Sequence, residues 1–210
     1  MSMLALKEWS IICKAMEEGK QTILLRKGGI LEYKKGFEIS QKLFLLYPTL
    51  EHQTAEYLQS NYLQDYELLL KRNSSEIVQD KVNTIRIIAR IEAMQEFHDH
   101  EILSKLEKYH IWNEKYVNMR MNYNPKKPMN ALLLRVYKLS QPISIDVNPE
   151  WAGCKSWIDI QFPNKYGNQY GNIRELLNQS VPVIKDKDFQ KINDKKCPYK
   201  RDKQLQNEPT

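Results

Sequence analysis

Apolar and polar positions along the chain fall into short blocks that switch period several times. Residues 4–18 place Trp9, Ile12, Cys13 and Met16 at i, i+3, i+4, i+7, with Lys7, Lys14 and Glu17 on the other side. That spacing predicts an amphipathic helix, closed by a left-handed Gly19, with Trp9 as a core anchor. Residues 21–26, QTILLR, form a continuous apolar run bounded by glycines and predict a buried strand. LFLLY at 43–47 predicts a second strand, stopped by Pro48, which has no N–H for a ladder. Thr49 then caps a helix running to about Leu58, with Glu51, His52 and Gln53 in its first turn.

Residues 59–83 are polar and mixed, and KRNSSE reads as a loop. TIRIIARIEAM at 84–94 alternates as a strand. Residues 99–121 predict the longest helix, capped by Asp99, with an irregularity around His110-Ile111-Trp112. NALLLRVYKL at 130–139 is a strand, and ISIDV after Pro142 an exposed edge strand. A short helix follows around Ile173 to Leu177. From residue 161 the chain turns polar and rich in Lys and Asn, and composition predicts that this tail is largely disordered, above all beyond Lys185. The resulting expectation is one α+β domain over residues 4–160. It has a small mixed or antiparallel sheet (barrel-like if it closes on itself), two main helices and a disordered C-terminal tail.

Composition narrows the setting. Of 210 residues, 41% are hydrophobic and 28% charged, which is globular. No apolar run reaches the ~20 residues of a membrane helix, and residues 1–18 lack the pattern of a secretory signal or transit peptide. The expected location is the cytoplasm, or the plastid stroma if the gene is plastid-encoded, and not outside the cell. Cys13, Cys154 and Cys197 are dispersed, which disfavours a disulfide framework or a zinc cage. The net charge of +6 is unevenly spread: residues 185–210 hold eight Lys/Arg against five Asp/Glu, or +3, leaving +3 for the other 184. The body is thus only mildly basic, and charge alone does not establish a nucleic-acid partner.

Candidate chemistry concentrates in residues 19–53. Arg26 and Lys27 precede Gly28-Gly29, and backbone N–H groups in such a turn beside two cations can hold an anion. An ordinary hairpin with solvated cations is the plainer reading. Glu51 and His52 are acid/base candidates, although helical neighbours at i, i+1 do not face each other. His98 and His100 lack a third ligand, so no metal site is expected. Glu32-Tyr33-Lys34 has a nuclease-like E-x-K spacing without its usual preceding carboxylate. Trp151 and Trp157 flank Lys155 and can stack bases, or close one end of a core.

ALKEW at 5–9, LLRKGGI at 24–30, LYPT with HQ at 46–53, HIWNE at 110–114, LLLRVYKL at 132–139 and PEWAGCKSWIDI at 149–160 form an ordered set. Together they resemble the domain-of-unknown-function family numbered 1802, especially its cyanobacterial and plastid-type members, over residues 4–160. The resemblance implies no established activity, and suggests a link to DNA processing through restriction-endonuclease-like domains in some members. The order of helix, basic strand, helix and strand also resembles small RNA-binding folds of the PUA and ASCH type. On that basis the leading expectation is a nucleic-acid-binding module for RNA or DNA. Arg26, Lys27, Arg135 and Lys155 would meet phosphates, with Gly28 and Gly29 beside them, and Trp151 or Trp157 would meet bases. The alternatives are a metal-dependent nuclease or other hydrolase, with Mg the implied cofactor only for the nuclease, and a structural or assembly protein. Protein partners and any other cofactor are unknown from sequence.

Overall fold

A computed structural model describes residues 2–27, 42–76, 82–98, 105–153, 155–162 and 172–194. Seven strands form one mixed sheet: β1 (Ser2–Trp9), β2 (Ile23–Arg26), β3 (Leu43–Thr49), β4 (Val82–Phe97), β5 (Met129–Asp146), β6 (Trp157–Gln161) and β7 (Val181–Pro182). Their order is β2-β5-β4-β3-β1-β6, with β7 also on β5. Among the described residues only β1 and β3 run parallel, in the register Ala5↔Leu45 to Trp9↔Thr49; the other pairs are antiparallel. Among the described residues β2 and β6 lie at opposite ends and do not pair, so the barrel-like alternative is not met and the sheet is open. The α-helices are α1 (Ser10–Glu17), α2 (Leu63–Glu76), α3 (Glu114–Asn122), α4 (Ile173–Asn178) and α5 (Asp186–Asp194). The fold is α+β. Among the described residues no helix is long and apolar enough to cross a membrane.

Strand alternation divides the interior into two cores, one on each face of the sheet. In β3, Phe44 and Leu46 enter one core while Leu45 and Tyr47 enter the other. In β1, Leu6 joins the first, and Met3 and Ala5 the second. The first core is covered by α1 and α3, and reaches Phe189 of α5; the second is covered by α4 through Leu176.

Several local expectations change. Residues 4–9 are strand and not helix. The i, i+3, i+4 spacing is real only from Trp9 on, and ahead of it Met3 and Ala5 alternate with Leu6 across a strand buried on both faces. Helix α1 ends as expected: Gly19 has φ +73°, and the Lys20 and Gly19 amides donate to the Ala15 and Met16 carbonyls, the Schellman pattern. Pro48 lies within β3 opposite Glu8, because its carbonyl accepts from Asn83 Nδ2 at 2.7 Å and no amide is required of it. The helix after Thr49 is replaced by a turn in which Thr49 Oγ1 accepts the Glu51 amide, then a 3-10 turn at Ala55–Tyr57. KRNSSE continues α2.

Of the long helix expected over 99–121, residues 99–104 lie outside the described residues, and the rest is not one helix. Gln59 Nε2 donates to the carbonyls of Glu107, His110 and Trp112, and the Gln59 amide donates to the Ile111 carbonyl. These bonds hold His110–Trp112 extended, and α3 starts afresh with Asn113 accepting the Tyr116 amide. The strands predicted at 130–139 and 143–147 fuse into one 18-residue β5 containing Pro142. The helix expected around Ile173 to Leu177 forms as α4, and beyond it β7 and α5 occupy part of the tail that composition assigns to disorder. Leu176 and Phe189 are buried there and tie the segment to the two cores.

Candidate functional site

A cleft of about 340 Å³ opens where the C-terminal end of β1 meets the segment after β3, α3 and the residues Gly153, Lys155 and Ser156. Its polar lining includes Lys7, Glu8, Arg26, Glu51, His52, Arg120 and Lys155. Its aromatic lining is Trp9, Tyr57, Tyr116 and Tyr123. These rings form a connected wall. Trp9 lies nearly parallel to Tyr57, with centroids 6.4 Å apart, and Tyr116 meets both edge-on at 5.6 and 5.9 Å. Beneath them Tyr116 stacks on the buried Trp112 at 4.7 Å, so the wall is anchored in the first core.

Lys7 and Glu8 exist as neighbours on a central strand, so their side chains leave on opposite faces. Lys7 is buried and fully committed: Nζ donates to Glu51 Oε2 at 2.9 Å, to the Trp151 carbonyl at 2.6 Å and to the Gly153 carbonyl at 2.9 Å. The Gly153 amide, at φ +81°, returns to Glu51 Oε1 at 3.3 Å. This ring of contacts clasps the segment after β3 to the 149–153 turn. Partial burial alone would raise the Glu51 carboxyl, but Lys7, the Gly153 amide and His52 outweigh it and hold the group below its ordinary value. His52 adopts φ +60°, the left-handed region that few non-glycine residues enter. On the other side Glu8 accepts from Arg26 Nη2 at 2.8 Å and from the Trp9 amide at 2.8 Å, and Arg26 also donates to the Lys7 carbonyl at 2.7 Å.

Both lining carboxylates are therefore matched by a cation, and Arg120 and Lys155 add further positive charge. Arg120 Nε is buried without a hydrogen-bond partner among the described residues. Lys155 Nζ donates to the Glu150 carbonyl at 2.8 Å.

Of the residues singled out from sequence, Arg26, Glu51, His52 and Lys155 meet at this cleft. Lys27 turns inward, donating to the Met121 carbonyl, and burial and then Arg120 lower its pKa. Arg135 lies elsewhere, buried over the Phe189 ring at 4.6 Å and paired with Asp186. Trp151 packs edge-on against Tyr47, contributing only its carbonyl to Lys7, and Trp157 packs edge-on against Phe44. His98 is exposed. Gly28, Gly29, Glu32, Lys34, His100 and Cys154 lie outside the described residues. Among the described residues no group of three or more His, Cys, Asp or Glu could hold a metal ion. Sequence reasoning missed Lys7, Glu8, Tyr57, Arg120 and Tyr123. The signal was an adjacent Lys-Glu pair inside an otherwise apolar alternating run.

An α+β protein with an open mixed sheet and a cationic, aromatic cleft is the class that fold and site define. The profile of the domain-of-unknown-function family DUF1802 matches residues 5–195, so the chain belongs to that family, and the match extends through α5. No curated protein matches. Among solved structures, the ASCH protein of Zymomonas mobilis is similar at 14% identity and a TM-score of 0.44, covering 85% of this chain and 95% of that one. Two variants of the same protein give TM-scores of 0.43 and 0.44 at the same identity, covering 96% and 98% of their own chains.

Proposed function

We propose that the cleft binds single-stranded RNA or DNA, admitting one nucleotide at a time. The observation that carries this reading is the placement of Arg120 and Lys155 on the same cleft as the Trp9–Tyr57–Tyr116 wall. Single-stranded nucleic acid is gripped by that combination, cations for phosphate and rings for bases. Arg120 brings a guanidinium to the cleft lining, and charge-assisted bonds from such a group to phosphate oxygens are among the stronger ones. Tyr123, exposed at the rim, offers a second ring to a flanking base.

The test is a titration of the full chain with labelled single-stranded RNA, single-stranded DNA and duplex DNA across a salt series. Affinity is expected to fall steeply with salt and to favour single strands. Lys155→Ala and Arg120→Ala should each reduce the salt slope by about 1, and Trp9→Ala should cost about 1–3 kcal/mol in binding. Binding absent for all three nucleic acids sinks the reading. The hydrolytic alternative rests on Glu51 and His52 sharing the cleft, with Mg²⁺ as cofactor for a nuclease. Product formation in the same titration with and without Mg²⁺ decides it.

A further inference from the structure

Two carboxylates line the cleft, and only one is accessible. The Glu51 side chain is 38% exposed, whereas that of Glu8 is 7% exposed. Each Glu51 oxygen holds one protein donor, Lys7 Nζ on Oε2 and the Gly153 amide on Oε1. A carboxylate offers about four lone-pair directions, so each oxygen retains one. The clasp also fixes the carboxylate before any ligand arrives, which lowers the ordering cost of using it.

An ionised carboxylate only accepts, and it favours two parallel donors over one. Among nucleobases, guanine presents such a pair on its Watson–Crick edge, N1–H beside the N2 amino group. Adenine and cytosine present one amino group beside a ring acceptor. Uracil and thymine present a single N3–H between two keto oxygens, which a carboxylate repels.

We propose that Glu51 selects an unpaired guanine, its two oxygens taking N1–H and N2–H while Trp9 and Tyr57 contact the base and Arg120 meets the phosphate. This inference rests on the reading of the cleft as a nucleotide site. The clasp explains why an accessible carboxylate belongs in a cleft whose other carboxylate, Glu8, is matched by Arg26: Lys7 and Gly153 hold Glu51 aimed, so it reads the base without repelling the phosphate on the Arg120 side.

The test uses the full chain and single-stranded oligouridines carrying one central guanosine, inosine, adenosine, cytidine or uridine. Guanosine is expected to bind about 5- to 150-fold more tightly than uridine, the span of a good bidentate base contact. Inosine, which keeps N1–H and lacks the N2 amino group, should fall between them. Glu51→Gln should bring all five to within about twofold of one another. If the oligomers bind and guanosine shows no advantage over uridine or inosine, the inference is overturned while the nucleic-acid reading stands. If none binds, both fall. A guanosine preference that survives in folded Glu51→Gln also overturns the assignment. Should that variant fail to fold because Lys7 loses its counter-ion, the inosine comparison on the unaltered chain still decides.

Discussion

Burial holds the His110 imidazole at about 4, against an ordinary value of 6.5. The backbone of Trp112 and of His110 itself faces the ring and offsets part of this, although neither ring nitrogen reaches hydrogen-bond geometry. The folded state therefore keeps His110 neutral. The unfolded chain takes up a proton as pH falls through about 6.5, and the folded one only near 4, so stability is full above 6.5 and declines between those values. The difference corresponds to about 3 kcal/mol. Urea denaturation at pH 7.5 and pH 4.5 should show a loss of that order, and His110→Phe should remove most of it. An unchanged pH dependence in the variant would place the acid sensitivity elsewhere. Lys7 illustrates the opposite handling of a buried charge, with all three ammonium donors used within 3 Å.

At the scale of elements, the segment 172–194 behaves as part of the domain. Leu176 of α4 and Phe189 of α5 each fill a different core, and Asp186 pairs with the buried Arg135. A chain ending at Phe162 loses all three contacts at once and should be destabilised by on the order of 5 kcal/mol or fail to fold. A chain ending at Lys195 keeps every described contact and should match the full chain to within about 0.5 kcal/mol. Thermal unfolding of the two truncations, read by circular dichroism, separates these outcomes. Equal stability would mean that α4 and α5 contribute little.

The same elements mark what sequence could and could not convey. The runs Thr22–Leu25 and Leu132–Leu134 were legible because burial on both faces leaves a continuous apolar block. Gly19 was legible because its left-handed role is local. The helix around Ile173 to Leu177 is legible in sequence and forms as α4, whereas α5 is not, because Phe189 is a single ring in a polar stretch and packs on a distant partner, Arg135. The cleft was half legible. Arg26, Glu51, His52 and Lys155 stood out as polar groups beside apolar runs. Lys7 did not, since its partners are 44, 144 and 146 residues away and a helical spacing matched the residues after it.

For the molecule as a whole, charge and site are separable. Residues 196–210 hold four Lys/Arg and two Asp/Glu, so the chain ending at Lys195 carries +4 against the full chain's +6. If the cleft supplies binding, this chain should retain affinity for single strands to within about threefold at 0.15 M salt, with a slightly shallower salt slope. Loss of binding with those fifteen residues, measured by fluorescence anisotropy, would make the attraction a property of the terminus.

Strand β1 has one further consequence, for the chain as it is being made. Its partner β3 is complete at Thr49, but β6, which closes its other edge through Met3↔Ile160, arrives only with residues 157–161. At about 5–20 residues per second, the intervening synthesis takes roughly 5 to 20 seconds. Throughout that interval the nascent strand offers an unpaired row of N–H and C=O groups to any neighbouring chain. Charges on such a strand discourage wrong pairing. Lys7 and Glu8 place two charges at the end of β1 through that interval, and line the cleft once the fold is complete.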